Sequence, residues 1–496
     1  MIDQTSTAPR IGKILAWFDT PRAERLSEEI ANLQQQLDAL ISCAAPPQQR
    51  LTALDAFYQR IIDDLELATP TLTSTPPPLS RKQKALLRSV QDTLLTFAHA
   101  LLDSLDSVNT HLVRGLGQPA ERSLWRAAHI LYRHYLLSAL VAAPAGRDLW
   151  LELHRTFNLA QNLHLAEARP EPEGQSIRDA YLTPILLSCA LPASLNAYEV
   201  RFVAQYLAQS SQLADPPDET VPAFRIDPSR DSPFQAADRK QPAADDTAES
   251  LQLSFRRLCA RLVAQESAIA NGIPPEQLGL PVFAATAPGR QLMRKLAIRW
   301  NAPAKRRFPR RRQGYRCQII SGLETLIKTL HQQDAPSPHD AQWMVINESP
   351  DGCAIMHISG KTGDLSVGDI AAIRTETGTN WQICLVRWVQ SEHSEHFEAG
   401  LQILAASGTP ATLIRHEQRA DTSPQGVIIL PAIPPLRETQ TLIAPAGCLP
   451  ETPSRFLLLI ERNNLEIREM CSTSLDECSD HFDAFSIEDD EIAQPA

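Results

Sequence analysis

The sequence lacks the features that place a chain in a membrane or direct it out of the cell. Its most apolar helical stretch, around 129–145, is interrupted by His129, Arg133 and His134 and falls short of the roughly 20 apolar residues that a membrane span needs. The segment Met1–Thr5 shows no basic start followed by an apolar core, so we expect no secretory signal. The nine cysteines are scattered and form no Cys-x-x-Cys pair, which favours a reducing compartment. These absences predict a cytoplasmic protein.

The sequence also lacks the motifs of the common enzyme classes. It contains no phosphate-binding loop, no nucleophile elbow and no paired metal-ligand motif. The spacing of His129 and His134 misses the four-residue interval that a shared metal on a helix prefers, so we interpret both as structural or exposed residues. We therefore expect no catalytic residues, no metal and no resident cofactor.

Positive charge is scarce overall and concentrated in one place. The chain has 496 residues, a formal net charge of -11, 43% hydrophobic and 21% charged residues. These values are typical of a soluble globular protein with about three domains, and they exclude a general binder of polyanions. Against this background the segment 305–316 is a cationic island, whereas Asp476–Glu491 is an acidic segment that we interpret as a solvated tail.

Apolar periodicity and composition predict a multidomain α plus β protein. After a short polar lead, Leu26, Ile30, Leu33 and Leu37 recur at helical spacing, and Ser80–Gln83 has the form of a capping box at a helix start. These and similar patterns predict an all-α helical bundle of six or seven helices over 1–208. Short strand-like segments then follow, the first at Cys317–Ile320, and favour an antiparallel barrel; those beyond Ser407 form either a further β module or an extension of this barrel. The other predicted regions are a flexible linker rich in Pro, Asp, Ala and Ser at 209–250, a helical connector at 251–304, the barrel at 305–407, and a C-terminal β module with an acidic tail at 408–496.

Two short segments have complementary binding chemistry. The arm at 305–316 contains Arg312 and Arg316, whose guanidinium groups can bind phosphate with two hydrogen bonds, contact the edge of guanine or stack on a base. About thirty residues later, Asn347 and Ser349 alternate by two and are followed by Gly352. The arm supplies positive charge and the turn supplies neutral hydrogen-bonding groups, so together they predict a site for an anionic, planar ligand.

The paired motif resembles that of the PilZ domain family, which comprises bacterial receptors for cyclic di-GMP. Arg312–Arg316 matches the family's Arg-x-x-x-Arg, and Asn347–Gly352 matches its Asp/Asn-x-Ser-x-x-Gly. The segment Phe397–Leu404 is similar to the family's closing strand, so the resemblance covers roughly 305–407. The register of the arm stays open, because Arg306/Arg310 and Arg307/Arg311 have the same spacing.

The resemblance implies a PilZ-type barrel that binds cyclic di-GMP. It assigns the phosphates and guanine edges to Arg312 and Arg316, and completion of the pocket to Asn347, Ser349 and Gly352. It also implies that Arg311, just before the motif, favours a stacked pair of nucleotides. Asn347 stands where the family often has Asp, and its amide oxygen offers guanine a less complete match than a carboxylate does.

These observations predict a cytoplasmic cyclic di-GMP receptor that signals through its helical region to an unidentified protein partner. We expect the free arm to be mobile and the dianionic ligand to order it. The alternative is a nucleic-acid-associated or adaptor protein whose PilZ-like domain does not bind the nucleotide. Neither the Gly-Gly-Asp-Glu-Phe stretch of diguanylate cyclases nor the Glu-Ala-Leu motif of phosphodiesterases is present, so we do not expect an enzyme. Homodimerisation, ligand affinity and the process controlled stay open.

Overall fold

The computed structural model divides the chain into two compact units. The first comprises Met1–Pro192, Ala197–Ile273 and Met293–Ala304, and the second comprises Ala193–Asn196, Pro274–Leu292 and Lys305–Ala496. The structure describes residues 7–490, apart from 107–117, 172–173, 215–223, 237–250, 303–306, 333–340, 361, 363–364, 394–395, 416–422, 435–436 and 462–463.

The first unit is mainly helical. Between residues 7 and 208, the described part of the chain contains eight α-helices, where the sequence predicts six or seven. The additional helix is the first, which the sequence treats as a polar lead. The helices are α1 Thr7–Trp17, α2 Leu26–Ile41, α3 Pro47–Leu72, α4 Arg81–Asp106, α5 Gln118–Leu140, α6 Leu149–Asn162, α7 Ile177–Cys189 and α8 Ala197–Ala208; α9 Arg256–Ala270 also belongs to this unit.

Two local signals in the sequence explain why these helices form. The predicted stripe on α2 is buried, with Ile30, Leu33 and Leu37 each at most 2% exposed, and each such side chain contributes about 1.5–3 kcal/mol when fully buried. At the start of α4, the amide of Gln83 donates to the Ser80 hydroxyl over 3.3 Å, and the amide of Ser80 donates to Gln83 Oε1 over 3.1 Å. This reciprocal capping box confirms the predicted start of α4.

Part of the segment predicted as a flexible linker is folded onto the helical unit. Residues 224–236 contain strands β1 (Phe224–Ile226) and β2 (Gln235–Ala236), and β1 also pairs with β3 (Leu251–Leu253). Between β1 and β2, the carboxylate of Asp231 accepts hydrogen bonds from the backbone amides of Asp148 (2.9 Å) and Trp150 (3.0 Å) at the start of α6. A side chain about eighty positions downstream therefore caps this helix, which composition cannot reveal.

The second unit contains two closed antiparallel barrels with the same strand order. In the first barrel the order is β4-β5-β6-β9-β8-β7, and in the second it is β10-β11-β12-β15-β14-β13. Each barrel is closed by its first and fourth strands in chain order: β4 pairs with β7 in the first barrel, and β10 pairs with β13 in the second. The strands are β4 Arg311–Ser321, β5 Gln342–Ser349, β6 Gly352–Ser359, β7 Ile370–Thr375, β8 Gln382–His393, β9 His396–Ala405, β10 Thr409–Arg415, β11 Gln425–Leu430, β12 Gln440–Pro445, β13 Arg455–Glu461, β14 Leu465–Cys478 and β15 Phe482–Asp489.

An apolar layer joins the two barrels. The helix α10 (Ala287–Asn301) precedes the first barrel, and α11 (Leu323–Gln332), inserted between β4 and β5, packs against β10 and β11 of the second barrel. The buried cluster includes Leu326 from α11, Ile383 from the first barrel and Phe482 from the second. Helix, first barrel and second barrel thus share one hydrophobic core.

The acidic C-terminal segment is part of a barrel rather than a solvated tail. Residues 482–489 form β15, and its Phe482, Phe485 and Ile487 side chains are each at most 1% exposed. Phe485 and Ile487 belong to the core of the second barrel, and Phe482 belongs to the apolar layer between the barrels, so a high count of carboxylates hides a strand that is buried on both faces. The C-terminal β module, for which the sequence left open an extension of the first barrel, is a separate closed barrel.

Candidate functional site

Residues 311–316 of the arginine arm form the first half of a barrel strand. The strand β4 begins at Arg311 and runs to Ser321, whereas the sequence predicts a short strand that begins only at Cys317. The arm pairs with β5 along this added length, so backbone hydrogen bonds hold it despite its polar side chains. Arg306 of the alternative register lies outside the described residues.

Strand pairing brings the two halves of the predicted motif together. Arg312 lies directly opposite Asn347, and Arg311 lies opposite Glu348. The register then shifts, with Tyr315 opposite Val345, which marks a β-bulge at Gln313–Gly314. Beyond the bulge, Arg316 lies opposite Met344, farther along the same strand pair.

The arginines of the arm form an uncompensated positive surface. Arg310, Arg311, Arg312 and Arg316 are all exposed, and none of them forms an ion pair with another described residue. The first unit differs, since Arg22 and Arg60 both pair with carboxylates there. Neighbouring like charges repel, so an anion that binds between these side chains relieves repulsion as well as forming hydrogen bonds.

Asn347 carries a buried acceptor that the protein itself does not use. Its Oδ1 atom is shielded from solvent and has no hydrogen-bond partner. A buried amide oxygen without a donor is costly, by about 1–3 kcal/mol, and such groups are rare in folded proteins. The Asn347 amide oxygen thus keeps an unused capacity to accept a hydrogen bond, on the strand position opposite Arg312.

Ser349 and Gly352 build the turn between β5 and β6. The Ser349 hydroxyl lies 2.7 Å from Asp351 Oδ1 and 3.1 Å from the Gly352 carbonyl oxygen, and its single proton can be donated to either. A Cβ atom on Gly352 would lie only 2.1 Å from the carbonyl oxygen of Leu401 on β9. Position 352 therefore requires glycine, because any side chain would overlap the backbone of the neighbouring strand β9.

Sequence reasoning missed a contact between the variable positions of the two motif halves. Gln313 Nε2 donates to Glu348 Oε1 over 2.6 Å, and the Tyr315 hydroxyl donates to Glu348 Oε2 over 2.8 Å. All three side chains are partly buried. The available signal was that Gln313 and Tyr315 are two residues apart and so share a face of an extended arm. The sequence does not show that Glu348 lies on that face, because this depends on the register of β4 with β5.

One tyrosine and two cysteines beside the site stay in their neutral forms. Burial, followed by the hydrogen bond to Glu348, raises the pKa of Tyr315 above its ordinary value, so the phenol remains a donor. Burial raises the pKa of Cys317 and of Cys353 to about 12, so neither thiol is a ready nucleophile. The chemistry available here is recognition by charge and hydrogen bonds.

Two parts of the chain match known protein families. Residues 324–410 match the family described as "Cyclic-di-GMP receptor FimW, middle PilZ domain". The chain contains a PilZ domain. Residues 12–218 match "Cyclic-di-GMP receptor FimW, N-terminal domain", so the helical unit also has a relative. The PilZ match includes Asn347, Ser349 and Gly352, and it begins after Arg311, Arg312 and Arg316.

One curated relative is the cyclic-di-GMP receptor FimW of Pseudomonas aeruginosa. It is 21% identical over 401 residues, and the match covers 64% of this chain and 65% of FimW. The chain therefore matches slightly less than two thirds of the length of this relative. Apart from its first two residues, Thr409 and Pro410, the second barrel lies beyond both family matches.

In the described part of the chain, no helix has the length and hydropathy needed to cross a membrane. The same residues contain no group of three or more His, Cys, Asp or Glu side chains arranged to hold a metal ion.

Proposed function

We propose that this protein is a cyclic di-GMP receptor whose binding site lies on the PilZ barrel, where the arginine arm meets the β5–β6 turn. One observation carries the proposal. Arg312, exposed and without an ion pair, stands opposite Asn347, whose Oδ1 is buried without a donor. An anion for the first and an N–H donor for the second are both supplied by a guanine nucleotide.

Each predicted residue then has a chemical task. The guanidinium groups of Arg312 and Arg316 bind the phosphates and the O6/N7 edge of guanine. Asn347 Oδ1 accepts from a guanine N1–H or N2–H group. Ser349 and Gly352 stabilise the turn next to Asn347. The Ser349 hydroxyl has one proton, so a ligand that receives it in place of Asp351 or Gly352 must provide a hydrogen-bond acceptor.

Arg311 bears on how many nucleotides bind. It is exposed at the start of β4, next to Arg312 in the chain, and adds a further cation to the surface. Two stacked cyclic di-GMP molecules carry four negative charges, so an additional guanidinium stabilises the pair more than the single nucleotide. We propose the stacked pair as the bound form.

The proposed output is a signal to a protein partner through the helical region. The match of residues 12–218 to the N-terminal domain of a cyclic di-GMP receptor supports this part of the proposal. Binding without turnover and a cytoplasmic location remain predictions, and the oligomeric state stays open. Hydrogen exchange with and without cyclic di-GMP tests the signal: we expect altered protection in α9 and α10, and unchanged protection there contradicts it.

Calorimetric titration of the full-length protein tests the binding proposal. We expect cyclic di-GMP to bind, GTP to bind far more weakly, and both Arg312→Ala and Arg316→Ala to lose about tenfold or more. Arg468→Ala, which removes a strand arginine from the second barrel, is the matched control and should bind like the wild type.

The same titration separates the alternative of a nucleic-acid-associated protein. Duplex DNA measured at two salt concentrations would bind with a steep salt dependence if the arm neutralised several phosphates of a polyanion. Absence of cyclic di-GMP binding together with such DNA binding would overturn the proposed receptor function. The net charge of -11 repels a long polyanion more than a dianion, so it favours cyclic di-GMP over duplex DNA as the ligand.

A further inference from the structure

Glu348 occupies an unexpected place for a carboxylate. It belongs to a turn sequence beside the proposed nucleotide site, directly opposite Arg311 and one residue from Asn347. An acidic group at the mouth of a site for a dianionic ligand should weaken binding by repulsion. Its contacts therefore need a physical reason.

Both oxygens of the Glu348 carboxylate accept hydrogen bonds from neutral donors. Oε1 accepts from Gln313 and Oε2 accepts from Tyr315, at 2.6 and 2.8 Å. It forms no ion pair with any described arginine, although Arg311 faces it across the strand pair. The hydrogen bonds orient Glu348 while the guanidinium groups stay available to an anion.

The two donors lie on either side of a backbone irregularity. Gln313 sits in the β-bulge of β4, and Tyr315 is the first residue whose pairing resumes after it. A bulge leaves a residue outside the ladder of backbone hydrogen bonds and bends its strand, so the local conformation needs side-chain support. Gly314 has no side chain and supplies no such support. Even a Cβ at this position would contact nothing within 4 Å.

The bulge separates the two arginines of the motif. Arg312 precedes it and Arg316 follows it, so the geometry of the bulge sets the distance and angle between their side chains. Loss of the contacts to Glu348 would let these two parts of the arm move independently. Ligand binding would then have to restrain them again.

We infer that Glu348 is a positioning residue of the nucleotide site, which holds the bulged arginine arm through Gln313 and Tyr315 so that Arg312 and Arg316 act together. This inference rests on the proposed function. It assigns a task to the variable positions of both motif halves. The raised pKa of Tyr315 is consistent with it, since the phenol keeps its proton and remains a donor.

The test has one readout that needs no nucleotide and one that does. Hydrogen exchange of Gln313–Arg316 in the full-length protein should be faster in Glu348→Ala than in the wild type, whereas exchange in the second barrel should not change. Cyclic di-GMP binding should weaken by about tenfold to thirtyfold, because two hydrogen bonds of ordinary strength are lost. Glu348→Gln, which keeps one acceptor oxygen, should lose less.

A double-mutant cycle distinguishes positioning from general damage to the barrel. In an Arg312→Ala background, Glu348→Ala should cost clearly less binding than it costs alone, because its effect passes through the arm. Tyr315→Phe removes one donor without changing charge, and it gives a second measurement if Glu348→Ala folds poorly. Glu398→Ala controls for a carboxylate lost elsewhere on the barrel, where it accepts from His396.

The outcomes separate the inference from the proposed function. Unchanged arm exchange, or unchanged or tighter nucleotide binding in Glu348→Ala, overturns the positioning role, and tighter binding would identify Glu348 as a repulsive group instead. A wild type that does not bind cyclic di-GMP overturns the proposed function. In that case, faster arm exchange in the variant still supports the structural half of the inference, that Glu348 orders the arm.

Discussion

The two barrels of the second unit share one strand order but differ in the elements that meet at the candidate site. In the PilZ barrel the first strand carries Arg311, Arg312 and Arg316, and the second and third strands are joined by a tight turn. In the second barrel the first strand reads Thr-Pro-Ala-Thr-Leu-Ile-Arg, and residues 431–439 connect the corresponding strands. Its sequence repeats the spacing of both motif halves at Arg415–Arg419 and Asp421–Gly426, but only one residue separates them in the chain, whereas thirty residues separate the two halves in the PilZ barrel.

This comparison separates the fold from the site. Both barrels bury a continuous apolar core, and the one they share spans the boundary between them. Barrel closure therefore depends on apolar residues along the strands, whereas the proposed site depends on a few polar residues at one end of the PilZ barrel. We interpret the second barrel as a packing partner of the first.

The largest expected effect comes from removing both motif arginines. The double variant Arg312→Ala/Arg316→Ala should bind no measurable cyclic di-GMP, because each lost charge-assisted contact contributes about 1.5–3 kcal/mol. Calorimetry at high protein concentration checks this. A residual site of unchanged affinity would break the comparison, since it would place binding on the second barrel.

The next effect concerns one strand glycine in each barrel. Gly352→Ala should lower the free energy of unfolding of the PilZ barrel by about 3 kcal/mol or more, because the new methyl overlaps the Leu401 carbonyl and backbone must move. Denaturant unfolding measures it. Gly426→Ala in the second barrel is the matched control, since its Cβ would meet only the flexible end of Ile327 at 3.1 Å. Equal stability of Gly352→Ala and the wild type would contradict the packing explanation.

A smaller effect is expected at Asn347. Asn347→Ala should weaken cyclic di-GMP binding by about tenfold, because the variant loses one buried hydrogen bond from the ligand to Oδ1, an atom that has no partner within the protein. Asn347→Asp should bind at least as tightly as the wild type, because a carboxylate can accept from both guanine N–H groups. Titration of both variants in parallel checks the prediction. An alanine variant with wild-type affinity would show that the free Oδ1 atom does not contact the ligand.

The smallest effect is a pH dependence confined to the second barrel. Burial, aided by Glu451, raises the pKa of Asp483 on β15, although its Oδ2 accepts from the Gly447 amide. A carboxyl whose pKa is higher in the folded state binds protons more readily there, so stability rises as pH falls through that folded pKa. Asp483→Asn should flatten this rise and stabilise β15 at neutral pH by about 0.5 kcal/mol.

Hydrogen exchange of β15 between neutral and mildly acidic pH measures this change. Asp480→Asn, in the exposed turn before β15, controls for the loss of one negative charge. Identical pH profiles for the wild type and Asp483→Asn would contradict the prediction.

Local patterns in the sequence predicted much of the architecture. The stripe on α2 and the capping box at Ser80 both reappear as expected, because they depend on residues within one or two helical turns. The barrel after the helices was also predicted, from short alternating segments. The folding of residues 224–236 was not, because Asp231 acts on amides far away in sequence.

The acidic C-terminal segment shows the same limit. Its carboxylates dominate the composition, and Phe482, Phe485 and Ile487 were too few to outweigh them in a reading based on charge. Only pairing with β12 and β14 shows that these three side chains face a core. Burial of a strand depends on its neighbours, and those neighbours are distant in the chain.

The sequence by itself determined the chemistry of this protein: an isolated cluster of arginines in an acidic chain, and an Asn-x-Ser-x-x-Gly turn downstream of it. Those residue types are fixed by the order of the chain and suit an anionic planar ligand wherever they lie. The tertiary structure alone decided that Arg312 stands opposite Asn347, that a bulge divides the arm, and that Glu348 holds it. Strand register is a property of paired segments, so no single segment encodes it.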